Sequence, residues 1–253
     1  MALLHVTYFS DALNVQTSVD VILPETKQGI GVDAAGEEAL PKVLYLLHGY
    51  SDDHTIWQRR TSVERYAAKY NLAIIMPAVN HSFYCNETYG EKYWDFVADE
   101  LPRVMQRFFR LSDKPEDTFV AGLSMGGYGA MKLALNFPER FGAAASFSGA
   151  VDIASSSKRH GDQWKRITGG KSIRGTDCDL FHMLKVNAEA PHKPRLYVSC
   201  GTADFLFDQH KKFVPAAKKA GWDVTAWEEP DATHAWSFWD QEIRKFIEFC
   251  FEE

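Results

Sequence analysis

Along residues 15–23, Val15, Thr17, Val19, Val21 and Leu23 alternate with Gln16, Ser18 and Asp20. Successive side chains of an extended chain point to opposite faces, so this period of two predicts a half-exposed strand. A second strand over residues 3–8 belongs beside it, the two running antiparallel at a sheet edge. From Val43 the pattern changes. Residues 43–47 are apolar without interruption, and 72–76, 143–147, 195–200 and 224–227 are similarly short and mostly apolar. Runs without a polar face fit central parallel strands covered on both sides. Between them the apolar positions recur at helical spacing: Val63, Tyr66, Ala67 and Tyr70, then Val97, Leu101, Val104, Met105 and Phe108, with Pro102 in a first turn or at a kink. Further helices are predicted over 130–135, 207–220 and 239–251. Strand and helix in alternation predict an α/β fold: a mostly parallel, doubly wound sheet with helices on both faces and its ligand site beyond the carboxyl ends of the strands.

Three stretches interrupt that rhythm. Residues 24–41 read as a turn-rich, mobile connection. Residues 80–94 form a loop rich in aromatics (Phe83, Tyr84, Tyr89, Tyr93, Trp94), equally suited to covering the core edge or lining a pocket. Residues 152–190, rich in Ser, Gly, Lys and Asp, read as a cap-like insertion over the carboxyl edge of the sheet. No Pro/Gly/Ser linker divides the 253 residues, of which 45% are hydrophobic, so one domain over 1–253 is expected.

The formal charge of −6, with no long basic run, argues against nucleic acid or an anionic membrane as partner. No apolar stretch approaches the ~18 residues that span a bilayer, and the amino terminus lacks a basic region followed by an apolar one; a cytoplasmic protein is expected. Cys85, Cys178, Cys200 and Cys250 are far apart and form no C-x-x-C pair, which points to free thiols rather than a disulfide framework or a metal site.

The chemistry concentrates at Gly122-Leu123-Ser124-Met125-Gly126, followed by Gly127. A strand-forming run before it and a helix-forming run after it make this G-x-S-x-G pattern a candidate nucleophile elbow. The competing reading is an ordinary turn whose serine caps the helix. A serine hydroxyl needs a base, normally His oriented by a carboxylate, and in this order of elements the base comes late. Of nine histidines, His210 sits among Lys211 and Lys212 and reads as surface, and His192 lies between Pro191 and Pro194. His234, in the loop between the last strand and the last helix, is the preferred base. Asp204, in the strand-end loop Cys200-Gly201-Thr202-Ala203-Asp204, is the preferred acid over Asp208, which suits a helix start. Glu228 and Asp231 are too near His234 in sequence to face it easily. The oxyanion donors expected are the backbone N–H groups of Met125 and of Tyr50, the latter in His48-Gly49-Tyr50, where His48 reads as structural.

Together, Leu47-His48-Gly49, Gly122-Leu123-Ser124-Met125-Gly126-Gly127, Cys200-Gly201-Thr202-Ala203-Asp204 and His234-Ala235-Trp236 with Trp239 resemble the esterase D / tributyrin esterase branch of the α/β-hydrolases. The resemblance implies hydrolysis of short-chain carboxylic esters, acetylated sugars among them, with no cofactor or metal and often as a homo-oligomer. S-formylglutathione hydrolases of that group carry Leu-Thr-Cys-Thr where this chain has Tyr50-Ser51-Asp52-Asp53, which weighs against glutathione thioesters. A feruloyl- or cinnamoyl-type esterase, an acyltransferase and a catalytically inactive binding module remain open, although the last would be expected to lack one of the three residues. The bulky Tyr50, Trp57, Phe205 and Trp236 near the strand ends predict a small acyl pocket of about two to four carbons, and Tyr84 or Trp94, with Phe83, would be the surface stacking a phenolic acid.

Overall fold

The computed structural model describes residues 1–25, 30, 39–156 and 161–252. Eight strands form where the apolar pattern changes period: β1 (Ala2–Ser10), β2 (Val15–Leu23), β3 (Lys42–Leu47), β4 (Leu72–Pro77), β5 (Thr118–Leu123), β6 (Ala143–Phe147), β7 (Arg195–Gly201) and β8 (Val224–Glu229). They build one sheet in the order β1-β2-β4-β3-β5-β6-β7-β8. The hairpin β1-β2 and the β2-β4 pair are antiparallel, and every pair from β4 to β8 is parallel. The helices are α1 (Ile56–Arg60), α2 (Val63–Ala67), α3 (Tyr93–Asp95), α4 (Leu101–Phe108), α5 (Met125–Asn136), α6 (Ile153–Ser156), α7 (Gly161–Thr168), α8 (Leu180–Val186), α9 (Phe207–Lys219) and α10 (Trp236–Cys250).

Strand β3 shows why the central runs lack a polar side. Val43, Tyr45 and Leu47 enter one core layer with Tyr128 and Met131 of α5 and Phe213 of α9. Leu44 and Leu46 enter the other with Ile243, Phe246 and Ile247 of α10. Each fully buried leucine contributes roughly 1.5–3 kcal/mol relative to exposure. That strand order, with β2 antiparallel to both neighbours and helices on both faces, is the α/β-hydrolase fold, its loops at the carboxyl ends left free for a site.

Pro102 falls in the first turn of α4, and the turn before it, Phe96–Glu100, widens to π geometry between α3 and α4. Proline lacks an N–H and crowds the carbonyl four residues earlier, so a wider turn just upstream relieves it. The widened turn buries Glu100, whose carboxylate accepts from Ser10 Oγ at 3.0 Å and from the Ala12 N–H at 2.7 Å, fastening the β1-β2 hairpin. The connection expected over 24–41 falls largely outside the described residues. The stretch 152–190 is less polar in its packing than in its composition: Trp164, Ile167, Leu180, Met183 and Leu184 are buried in the core layer of α5. His210 also departs from the expectation of a surface residue. Helix α9 turns it inward, 3% exposed, with Nε2 3.5 Å from Glu228, while Lys211 and Lys212 face out. Among the described residues no helix is long and apolar enough to cross a membrane.

Candidate active site

Ser124 stands between β5 and α5 with φ 53° and ψ −115°. Positive φ is uncommon for a residue with a side chain, and it persists only where the surroundings impose it. Here they do. A Cβ at Gly122 would collide with the backbone of Gly126, and one at Gly126 with the carbonyl oxygens of Leu47 and His48. The turn is held by the Ser124 N–H donating to Phe147 O at 2.9 Å and the Ala150 N–H donating to Ser124 O at 3.0 Å. The Ser124 side chain makes no capping hydrogen bond to α5, which removes the reading of an ordinary helix cap.

Its hydroxyl instead meets His234, with Nε2 3.0 Å from Ser124 Oγ. The other ring nitrogen, Nδ1, lies 2.8 Å from Asp204 Oδ2. Thus the structure brings together the three residues singled out by position, one from the elbow, one from the loop after β7 and one from the loop after β8. The two loops interlock closely, since a Cβ at Gly201 would strike the carbonyl of Ala232. Asp204 is 5% exposed, and its Oδ1 accepts from the Leu206 N–H at 2.8 Å. Burial alone would push its carboxyl upward, but the hydrogen bonds from His234 and Leu206 outweigh that and hold it below the ordinary carboxylate range. Phe205 at 4.5 Å and Trp239, perpendicular at 4.8 Å, ring centre to ring centre, pack against the imidazole. The alternatives lie elsewhere: Asp208 is exposed and paired with Lys211 at 2.9 Å, Asp231 occupies a left-handed turn position, and Glu228 faces His210.

Met125 carries the first N–H of α5, where no earlier turn of the helix can accept it. Facing it across the cavity is the β3 loop with Gly49 and Tyr50. That loop is shaped by His48, which is 1% exposed: its Nδ1–H donates to Gly49 O at 2.7 Å and its Nε2 accepts from the Val79 N–H at 3.0 Å. Burial drives the His48 pKa down to about 4, so the ring is neutral and acts as a two-ended brace. Tyr84 braces the same turn, its hydroxyl donating to His48 O at 2.9 Å.

A cavity of about 600 Å³ opens over Ser124. Tyr50, Phe205 and Trp236 line it as expected. Three other expected wall residues do not. Trp57 is fully buried beneath the wall, its Nε1–H donating to Leu47 O at 3.0 Å and its ring meeting Trp236 edge-on at 5.2 Å. Tyr84 is consumed by the brace just described. Trp94 stacks on Phe137 at 5.7 Å beneath the Lys132 ammonium and is not among the residues lining the cavity. Phe83, named with Tyr84 and Trp94, does line it, and the wall also holds Trp164 and Asp52. The signal for Trp164 was available in its spacing from Ile167, which puts both on one face of α7; Asp52 stood out in sequence only within the departure Tyr50-Ser51-Asp52-Asp53, not as a wall residue. Burial raises the Asp52 carboxyl above the ordinary range, and no Lys or Arg is among the described residues lining the cavity. Among the described residues no three His, Cys, Asp or Glu side chains are placed to hold a metal ion.

Residues 10–245 match the model of the family named Esterase, described as "Putative esterase". An acetyl esterase from Caldicellulosiruptor saccharolyticus is 30% identical over 261 residues, spanning 98% of each chain. Among solved structures, FphF, a fluorophosphonate-binding serine hydrolase of Staphylococcus aureus, superposes with a TM-score of 0.88 at 33% identity, covering 100% of this chain and 99% of that one. An S-formylglutathione hydrolase, FrmB, from Staphylococcus aureus superposes with a TM-score of 0.87 at 34% identity over 99% of both chains.

Proposed function

Because the chain belongs to the Esterase family and is a carboxylic ester hydrolase, we propose that it hydrolyses short acyl esters, acetyl to butyryl, through an acyl-Ser124 intermediate. The observation that carries this reading is the unbroken path Ser124 Oγ, His234, Asp204 at 3.0 and 2.8 Å on the floor of the cavity. His234 Nε2 takes the proton as Ser124 Oγ attacks the ester carbonyl, and Asp204 holds the imidazole in the tautomer that leaves Nε2 free to accept. The oxyanion is received by the N–H groups of Met125 and Tyr50, the first at the positive end of the α5 dipole. Collapse expels the alcohol, which takes the proton from His234. A water then repeats the sequence on the acyl-serine and returns Ser124.

Asp52 supports neutral, hydroxyl-rich alcohol portions such as sugars: its carboxylate can accept hydroxyl hydrogen bonds, and the described lining residues include no Lys or Arg to meet an anionic group. The name of the acetyl esterase relative points the same way. A glutathione thioester reading rests on the FrmB neighbour and is disfavoured by that same carboxylate. The test is a series of esters of one alcohol, acetyl to octanoyl and feruloyl, assayed with wild type and Ser124→Ala. A kcat/KM maximum at acetyl to butyryl is expected, with Ser124→Ala lower by about 10⁴ or more and refractory to a fluorophosphonate probe. A maximum at octanoyl or feruloyl, or a turnover-competent Ser124→Ala, would overturn it.

A further inference from the structure

Cys85 and Cys178, remote in sequence, place their sulfurs 3.5 Å apart. Cys85 follows the braced residue Tyr84 and is buried, whereas Cys178 lies in the loop before α8 and is partly exposed. A buried cation stands beside them: Lys132 of α5 has Nζ 3.7 Å from Cys85 Sγ and 3.5 Å from Asp177 Oδ2. The other cysteines have no such setting. Cys200 is pushed up to about 12 by burial, and burial likewise raises Cys250.

We propose that Cys85 and Cys178 are a reversible dithiol–disulfide site, oxidised by small peroxides that enter past Cys178. The assignment stands on the sulfur-to-sulfur contact and on the buried ammonium that favours a thiolate within it. Cys85 is the thiol that ionises, drawn down to about 7 by the hydrogen bond from Cys178 and, against its burial, by the charge of Lys132. The Cys85 thiolate attacks hydrogen peroxide and becomes a sulfenic acid, while the leaving hydroxide takes up the proton lost by Cys85 as water. The Cys178 thiol then attacks the Cys85 sulfur, the S–S bond forms and the hydroxyl leaves with the Cys178 proton as a second water. Two thiols and one peroxide thus become one disulfide and two waters. Closure needs the sulfurs to move from contact to about 2.05 Å. The bridge would join the 80–94 and 152–190 stretches, which also meet at the cavity wall where Phe83, two residues before Cys85, packs on Trp164 of α7 at 5.0 Å.

The experiment exposes wild type and Cys178→Ser to increasing hydrogen peroxide, quenches in acid, alkylates under denaturing conditions and maps the peptides without reductant. In wild type, two of the four thiols should be lost together, a Cys85–Cys178 peptide should appear, and dithiothreitol should restore both. Cys178→Ser should keep short-ester turnover and form no cross-link. Cys85→Ala provides the second arm, leaving Cys178 alkylated or singly oxidised and again unlinked. The proposal is overturned if wild-type Cys85 and Cys178 both stay alkylatable at doses that oxidise methionine, or if they proceed to sulfinic acids without a cross-linked peptide.

Discussion

At the scale of single residues, the site depends on which carboxylate faces His234. Asp204 does so from a buried position with both oxygens engaged, and Asp208 looks into solvent. Replacing Asp204 by Asn keeps the shape but offers an amide, which stabilises the tautomer with its proton on Nε2, the wrong nitrogen for accepting from Ser124. The expected loss in kcat is on the order of 10⁴, whereas Asp208→Asn should leave kcat within about twofold. Steady-state kinetics on an acetyl ester decides it, and the reverse pattern would reassign the acid. Asp204 also carries a linkage: its folded pKa is below its unfolded value, so its stabilising contribution is present above the unfolded pKa and lost as pH falls through the folded one. The elbow and its partners were legible from residue types because each is a local necessity. Gly122 and Gly126 are imposed by backbone contact, and His234 and Asp204 follow strands whose carboxyl ends must converge. Asp52 was illegible as a wall residue, since the cavity beside it is assembled from loops far apart in the chain.

Among the elements, the loop after β3 is the one whose shape rests on a buried titratable group. His48 spans it as a neutral ring, donating at one nitrogen and accepting at the other. Its pKa falls from 6.5 to about 4 on burial. The unfolded chain therefore binds the proton first, so the contribution of His48 to stability is whole above about pH 6.5 and is lost progressively as pH falls toward 4. The difference amounts to about 3 kcal/mol. Urea unfolding between pH 7 and 4 should show that decline, and His48→Asn, though less stable at neutral pH, should show a shallower one; parallel slopes would remove His48 as the cause. The strands and most helices of this fold could be read from periodicity, because two-sided burial leaves an uninterrupted apolar run. The π turn before Pro102 could not, since it depends on Glu100 reaching the β1-β2 hairpin. Aromatic residues in residues 80–94 were equally opaque: Tyr84 and Phe83 adjoin in sequence, yet one braces His48 and the other lines the cavity, a division set by consecutive left-handed backbone angles at φ 50° and 53°.

For the molecule as a whole, the cavity joins the β3 loop, the elbow, the 152–190 insertion and the β7 and β8 loops, and its size and charge bear on substrate together. About 600 Å³ is room for an acyl group and its alcohol, so acyl length alone does not describe the specificity. The protein carries a net charge of −6, and Asp52 adds a carboxylate at the wall itself with no Lys or Arg among the described lining residues. A charge ~5 Å from a substrate carboxylate at an effective dielectric near 20 opposes it by up to about 3 kcal/mol, reduced by solvent in an open site to roughly 1 kcal/mol, or about fivefold in kcat/KM. Asp52→Asn should therefore raise kcat/KM for an anionic acyl-glutathione by about that factor, lower it for an acetylated sugar whose hydroxyls lose their acceptor, and leave a simple aryl acetate nearly unchanged. Because burial raises the Asp52 pKa, the discrimination of wild type against the anionic substrate should fade on acidification sooner than an ordinary carboxylate would allow, and the variant should show no such trend. Parallel pH profiles of the two proteins, or equal effects of the substitution on all three substrates, would show that Asp52 shapes the loop without reading the charge of the substrate.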